Sequence, residues 1–537
     1  MTPRNGTAPG RVLLVGGHIH TPAAATSDAG ATAMLTVDGT VAWIGDDAGA
    51  AAYADSADEV IRLAGRLVTA GFVDAHTHLA GTGFALQSLD LSRATTLSDA
   101  LDALSRSSRD TTGPVLFGHG WDETRWAEGR APTTAQLDRA VGRKVAYVVR
   151  VDAHSAVVST ALIERCPEVV DLDGWRGDGV VERDAHHAVR RVVDDLRSRS
   201  DRKEALHIAL RRAASRGITC VHELNAPHIA PYDDFATIRE ITAETAVPEV
   251  VPYWGELLTD DGGDRHDDHA LAGFAGDLCV DGAIGSRTAA MTEPYVDADT
   301  RGHLYLDSDE VSRHVVACTR RKAQAGFHVI GDAATEVVVA GLRRAAEIVG
   351  TDALVAARHR LEHIEMADAA AIRTMARLGV VASVQPAFDA AWGACGQLYE
   401  RRLGAARAEP MNPFGSMLRA GVTLAFGSDT PVTPLDPWAG VRAATLHHDP
   451  SERISVAAAF DAHTQGGHRA RRDDHGGVLA PGHPASYAVW DVGEQPGEPP
   501  GGHRGSTWLP ALHPDQPLPR CVATVVAGTT VYSEEDD

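Results

Sequence analysis

Between Ile218 and Gly427 the chain repeats one unit, a short apolar run of β-type residues followed by an Ala/Arg-rich stretch with helical spacing. The runs are Ile218–His222, Glu249–Trp254, Leu278–Asp281, Phe327–Ile330, Leu361–His363, Val380–Val384 and Leu424–Gly427. Adding Gly71–Asp74 brings the list to about eight, the number that a (β/α)₈ TIM barrel needs. Alternation of this kind belongs to the α/β class, and the barrel is the expected architecture.

The rest of the 537 residues must be housed around that barrel. Arg11–Leu67 holds short β-rich pieces broken by Gly-containing turns, and Tyr487–Asp491 and Val522–Val531 again read as strands. The two ends therefore form one composite β domain, 1–70 plus 475–537, with the barrel at 71–81 plus 199–474. The span 82–198 is far too long for a βα connection and reads as an inserted α+β domain over the barrel mouth. Its own β-like runs are Val115–Phe117 and Val145–Val151, beside the aromatic segment His119–Trp126. The Pro/Gly-rich tract Gly493–Gly505 reads as a flexible loop.

A formal net charge of -23 disfavours nucleic-acid and anionic-membrane partners, which need a basic patch. The six cysteines lie far apart without a CxxC pair, as reduced packed thiols do. No leader-like segment and no membrane-length apolar stretch is present in the sequence, so a cytoplasmic enzyme acting on a small molecule is expected. A homodimer is the common state of large soluble enzymes. GxSxG, Walker and dinucleotide-binding motifs are missing.

The chemistry starts at Gly71-Phe-Val-Asp-Ala-His-Thr-His78. Strand side chains at i and i+2 share a face, so His76 and His78 can grip one metal ion at the C-terminal end of a barrel strand, where this fold places its active sites. His328, His363 and Asp429 stand in or at the ends of later runs. Imidazoles with a carboxylate are the donors that zinc and similar divalent ions favour, and manganese and iron accept the same set.

Eight motifs in order then resemble the amidohydrolase superfamily, in particular amidohydrolase family 3, which includes N-substituted formamide deformylases. They are VDAHTHL (Val73–Leu79), GHGWDETRW (Gly118–Trp126), DAHS (Asp152–Ser155), GITCVHE (Gly217–Glu223), DGAIGSRTA (Asp281–Ala289), HVIGDAA (His328–Ala334), RHRLEH (Arg358–His363) and FGSDTPV (Phe426–Val432). The resemblance implies a β-sandwich from both termini and a metal-dependent hydrolase of non-peptide C–N bonds: linear amides, N-substituted formamides or carbamate-like compounds. It implies His76 and His78 as ligands of a first metal, His328 and His363 as the later-strand histidines, and Asp429 as the catalytic aspartate. It also suggests substrate contacts from Trp121, Asp122 and His154, for which packing and capping are the alternative.

One departure from the family stands out. Many members carry a lysine, carbamylated to bridge two metals, where this chain has Asp277. Its only lysines, Lys144, Lys203 and Lys322, lie at no predicted strand end. Asp277, Cys279 and Asp281 are expected to share one strand face, so Asp277 could supply a shorter bridge between two ions. Alternatively His76, His78, His328 and Asp429 hold one ion, and His363 acts in hydrogen bonding or proton transfer. Either way the cation activates water, with Asp429 taking the proton. Arg287 could clamp a substrate oxygen, and Glu182 and Glu223 could orient a histidine or form surface salt bridges. Deamination, cyclic-amide opening and a non-catalytic small-molecule-binding barrel are the alternative readings.

Overall fold

In the computed structural model, which describes residues 10–21, 30–111, 113–258, 271–493 and 507–535, the alternation becomes one parallel sheet of eight strands paired in chain order. They are β1 (Phe72–Thr77), β2 (Ile218–Asn225), β3 (Glu249–Trp254), β4 (Gly273–Phe274), β5 (Gln324–Val329), β6 (Arg360–His363), β7 (Val381–Val384) and β8 (Thr423–Phe426). Thr77 bridges Thr430 in parallel where β8 returns to β1. The Asp74 carboxylate clips that seam by accepting from the amides of His76 (3.2 Å) and Ser428 (2.9 Å). Gly427 is required there, because a Cβ would lie 2.6 Å from the His76 amide nitrogen. The fold is therefore the TIM-barrel class that the alternation predicts.

Apolar side chains on the outer face of the strands, among them Phe72, Val221, Phe327 and Phe426, pack against helical Leu210, Ile238, Val338 and Trp438 to form the main core. Inside the barrel the filling is mixed. Val73, Leu224 and Tyr253 cluster below the mouth, and the fully buried Arg360–Glu362 ion pair sits among them.

The fourth strand departs from expectation. Ladder pairing is confined to Gly273–Phe274, ahead of the expected Leu278–Asp281. Gly273 lets the backbones close, since a Cβ there would meet the Gln324 carbonyl oxygen at 2.4 Å, and Gly276 at φ +95° then turns the chain out of the sheet. Only the Cys279–His328 bridge continues the pairing. As a result the expected shared face fails. Asp277 and Cys279 line the cavity, whereas Asp281 turns away to accept from the amides of Ala290, Ile330 and Gly331.

The chain leaves the barrel after the helix Leu79–Leu86, which runs across the expected boundary at residue 82, and returns through the helix Arg199–Ala214. The return helix is started by a reciprocal cap between Ser198 and Asp201. Between them lies a five-stranded sheet ordered Val180–Glu182, Ser155–Val158, Ala146–Arg150, Leu116–Trp121, Leu89–Asp90. One face packs on the helices Leu97–Asp110 and Thr134–Val141, the other on Arg183–Asp195. The chain ends form two facing sheets around a shared core that includes Leu14, Met34, Val68, Tyr487 and Val525. In one of them Leu67–Ala70 pairs antiparallel with Tyr487–Trp490. The tract expected as a flexible loop, Gly493–Gly505, lies outside the described residues except for Gly493. No helix among the described residues is long and apolar enough to cross a membrane.

Candidate metal centre

Six side chains converge at the C-terminal ends of the strands: His76 from β1 and His78 just after it, Asp277 after β4, His328 from β5, His363 from β6 and Asp429 after β8. His78 Nε2 lies 3.1 Å from Asp277 Oδ2 and 3.2 Å from Asp429 Oδ1. His76 Nε2 stands 3.5 Å from Asp277 Oδ1 and 3.4 Å from Asp429 Oδ1, and His328 Nδ1 is 3.4 Å from Asp277 Oδ1. Tetrahedral bonds of about 2.1 Å set their donors about 3.4 Å apart, so these spacings suit ligands facing a common cation. Two overlapping triads result, His76/His78/Asp429 and His76/Asp277/His363.

The hydrogen bonds behind the rings agree with that reading. His76 Nδ1 contacts Glu362 Oε2 at 3.0 Å, His328 Nε2 contacts the Gly282 carbonyl at 3.3 Å, and His363 Nδ1 contacts Gln385 Oε1 at 2.8 Å. Each outer nitrogen donates to an oxygen, which leaves the inner one as a lone pair. Those inner atoms, His76 Nε2, His328 Nδ1 and His363 Nε2, are buried without a hydrogen-bond partner, as is Asp277 Oδ1. Burial opposes charge on the His76 and His78 rings, yet Asp277 and Asp429 outweigh it and raise both pKa values. The cluster calls for positive charge, and the donor set fits a divalent metal. His363 and Asp429 also hold left-handed backbone, φ +66° and +53°, a strain that non-glycine residues keep where the surroundings enforce it.

Behind His76, Arg360 holds Glu362 through Nε (2.5 Å) and a terminal nitrogen (3.0 Å), and also reaches the Ala75 carbonyl, Ser383 and His222. Burial would raise the Glu362 carboxyl, but Arg360 and His76 bring it down to about 2. Glu362 therefore stays an anion aimed at His76.

The cluster lies between two chambers. The larger, about 270 Å³, is walled by His78, Asp277 and Asn225 of the barrel and by His187 and Arg190 of the insertion. The smaller, about 30 Å³, is lined by Phe388, Trp392, Tyr399, Ile284 and Glu365. His154 lines both, its ring 5.1 Å from that of His328, and burial pulls its pKa to about 3, so the ring is neutral.

Three sequence expectations need correction. Trp121 is packed in the insertion core with Nε1 on the Val148 carbonyl, and Asp122 is bound to Arg150 and Thr124; neither lines a chamber. Arg287 is held in a bidentate pair with Asp297, away from both chambers. Glu223 is fully buried and accepts from the Leu79 amide (2.8 Å) and Thr77, so it caps the helix after β1 instead of forming a surface salt bridge. Glu182 pairs with Arg176. None of the three lysines lines a chamber.

Sequence reasoning missed Arg150, Asp152, Glu362 and Gln385. Arg150 binds Glu123, Asp152 and Asp122, and Asp152 holds Ser286. Arg402, from the barrel loops, binds Glu123 and Asp297, which ties the insertion to the barrel. A charged residue inside an apolar strand, as in Val148-Val-Arg150 and Arg360-Leu-Glu362, was the available signal.

Residues 59–532 match the model of the amidohydrolase family. The chain belongs to that family. As an amidohydrolase it is a hydrolase of carbon–nitrogen bonds. Curated relatives include YtcJ of Bacillus subtilis strain 168, 26% identical over 81% of this chain and 86% of that protein, and the N-substituted formamide deformylase of Arthrobacter pascens, 23% identical over 86% and 90%. A crystal structure of an uncharacterized metal-dependent hydrolase from Pyrococcus horikoshii OT3 superposes with a TM-score of 0.71 at 22% identity, covering 94% of this amidohydrolase and 99% of that chain. At that identity the likeness speaks for the fold.

Proposed function

We propose that this amidohydrolase is a metal-dependent enzyme that cleaves a linear, non-peptide amide-type bond, with His76, His78, Asp277 and Asp429 around a first zinc-type ion. His328 and His363 would hold a second ion, with Asp277 available as a donor to either. The observation that carries this reading is the convergence of imidazole nitrogens and carboxylate oxygens at spacings of 3.1 to 3.5 Å, with His76 Nε2, His328 Nδ1, His363 Nε2 and Asp277 Oδ1 buried and unpartnered among them. When bound, the divalent cation lowers the pKa of water towards about 7 and polarises the substrate carbonyl.

The chain's own residues do the rest. Asp429 takes a proton from the attacking water and delivers it to the departing nitrogen. Oxygen joins the carbonyl carbon, the C–N bond breaks, and an acid and an amine leave. Glu362, Gln385 and the Gly282 carbonyl keep three imidazoles in register. The neutral His154, beside His328, is placed to donate to the substrate carbonyl oxygen.

Elemental analysis of protein purified without added metal tests the centre. About two ions per chain, falling towards one in Asp277→Ala, is the expected result. One ion unaffected by Asp277→Ala but lost in His76→Ala would replace the two-ion arrangement by a single-ion one, and no bound metal would end the proposal. In metal-loaded protein Asp429→Asn should lower kcat on a formanilide-type substrate by about 10²–10⁴-fold; unchanged turnover would remove Asp429 from the proton path.

A further inference from the structure

Four arginines line the larger chamber, and three of them are neutralised in place. Arg150 is shared among Asp122, Glu123 and Asp152. Arg197 pairs with Asp194 and stacks on Phe84, 3.7 Å from its centroid. Arg202 is held by Asp194 and Asp234. Arg190 is different: its terminal nitrogen donates to the Ala153 carbonyl at 3.0 Å, and among the described residues no carboxylate lies within ion-pair distance of its guanidinium.

Tyr147 and the more distant Asp194 and Asp277 offset the burial of its charge, but none of them forms an ion pair with it. Burial brings the His187 ring, one turn back on the same helix, down to about 3, so it stands beside Arg190 as a neutral group. Across the chamber Asp277 and Asp429 are committed to the histidine cluster. Asn225, at the end of β2 in the same wall as the metal residues, adds an amide nitrogen that is buried without a partner. Arg190 is tied to the reaction zone through Ala153, the neighbour of His154, whose ring contacts His328. A partly buried planar cation without a counter-ion, facing the centre from the insertion wall, has the chemistry of a carboxylate receptor.

We infer that Arg190 binds a carboxylate carried by the substrate, so that this enzyme acts on amides bearing one negative charge on the portion lying in the larger chamber. The inference rests on the hydrolase reading above and narrows its substrate class. A neutral substrate would leave the guanidinium unpaired, whereas an anionic one completes it with charge-assisted hydrogen bonds.

The test compares N-acetyl amino acids with their primary carboxamides, which match them in size and differ in charge, on the metal-loaded enzyme. The acid should be favoured in kcat/KM by about 10- to 100-fold, mostly through KM. In Arg190→Met the acid-to-amide ratio should fall to near one, and Arg190→Lys, which keeps the charge but loses the fork, should restore part of it. Equal rates on acid and amide in the wild type, or a ratio that survives Arg190→Met, would overturn the inference. If no amide of either kind is hydrolysed, the hydrolase reading fails separately. Calorimetric titration with N-acetylglycine then decides on Arg190 alone: weaker binding in Arg190→Met supports the receptor, and equal binding overturns it.

Discussion

Replacing Glu362 by Gln removes one negative charge from the fully buried group that holds His76 by Nδ1 at 3.0 Å. Loss of such a partner behind a metal-binding histidine typically costs about 10- to 100-fold in metal affinity, or about 1.4–2.7 kcal/mol. Glutamine keeps an acceptor but gives up the charge assistance, so about tenfold is expected for Glu362→Gln and nearer 100-fold for Glu362→Ala. The same change strips Arg360 of its carboxylate, leaving Ser383 Oγ, the Ala75 carbonyl and His222 Nδ1 as neutral acceptors. Breaking a buried pair from one side costs about 3–5 kcal/mol, so the metal-free protein should also melt earlier. Zinc competition against a chromophoric chelator reads the first effect, and calorimetric melting of metal-free protein reads the second. A folded Glu362→Gln protein that binds zinc within twofold of wild type would refute the positioning role, even if its melting temperature had fallen.

Two further outcomes follow from geometry remote from the metal. Burial would raise the Glu123 carboxyl from its ordinary 4.5, but Arg150 and Arg402 bring it to about 2, so it contributes on the order of 3 kcal/mol that is fully present above about pH 4.5 and is lost as pH falls towards 2. The melting-temperature gap between wild type and Glu123→Gln should therefore be wide at pH 6 and narrow by pH 3; a gap that does not change with pH would refute the assignment. A Cβ at Gly83 would stand 1.8 Å from the Ala205 carbonyl oxygen, where the helices flanking the insertion meet, so Gly83→Ala should destabilise by about 1–3 kcal/mol or more in denaturant titration. Helix propensity alone favours alanine by about 1 kcal/mol, so a stabilised variant would show that the helices can part freely.

The centre was legible in sequence where local rules reach it. His76, His78, His328, His363 and Asp429 sit in or beside apolar runs, and the period-two rule aims the first two together. The same rule failed at Asp281, because Gly276 turns the backbone out of the sheet before that residue. Trp121, Asp122 and Arg287 sit within family-like motifs, yet Val148, Arg150 and Asp297, to which they are bonded, gave no sign of the pairing in sequence. Glu362 stood in view inside RHRLEH, but its alignment with His76 depends on strands β1 and β6 facing each other across the barrel interior, which no local spacing encodes. Arg190 was hidden for a related reason. Its interest lies in lacking an ion-pair partner, and that can be judged only once every neighbouring carboxylate has been placed.

The sheet that joins the chain ends also sets an order of events during synthesis. Leu67–Ala70 leaves the ribosome early, but its antiparallel partner Tyr487–Trp490 follows more than four hundred residues later, roughly 20–80 s at ordinary elongation rates. Until then one side of that strand can pair only with the short His18–Ile19, and the other side is an open edge. Nascent chains stalled before residue 487 should therefore lean on holdase chaperones, whereas those released after residue 526, with Arg520–Val526 in hand, can shut the edge themselves.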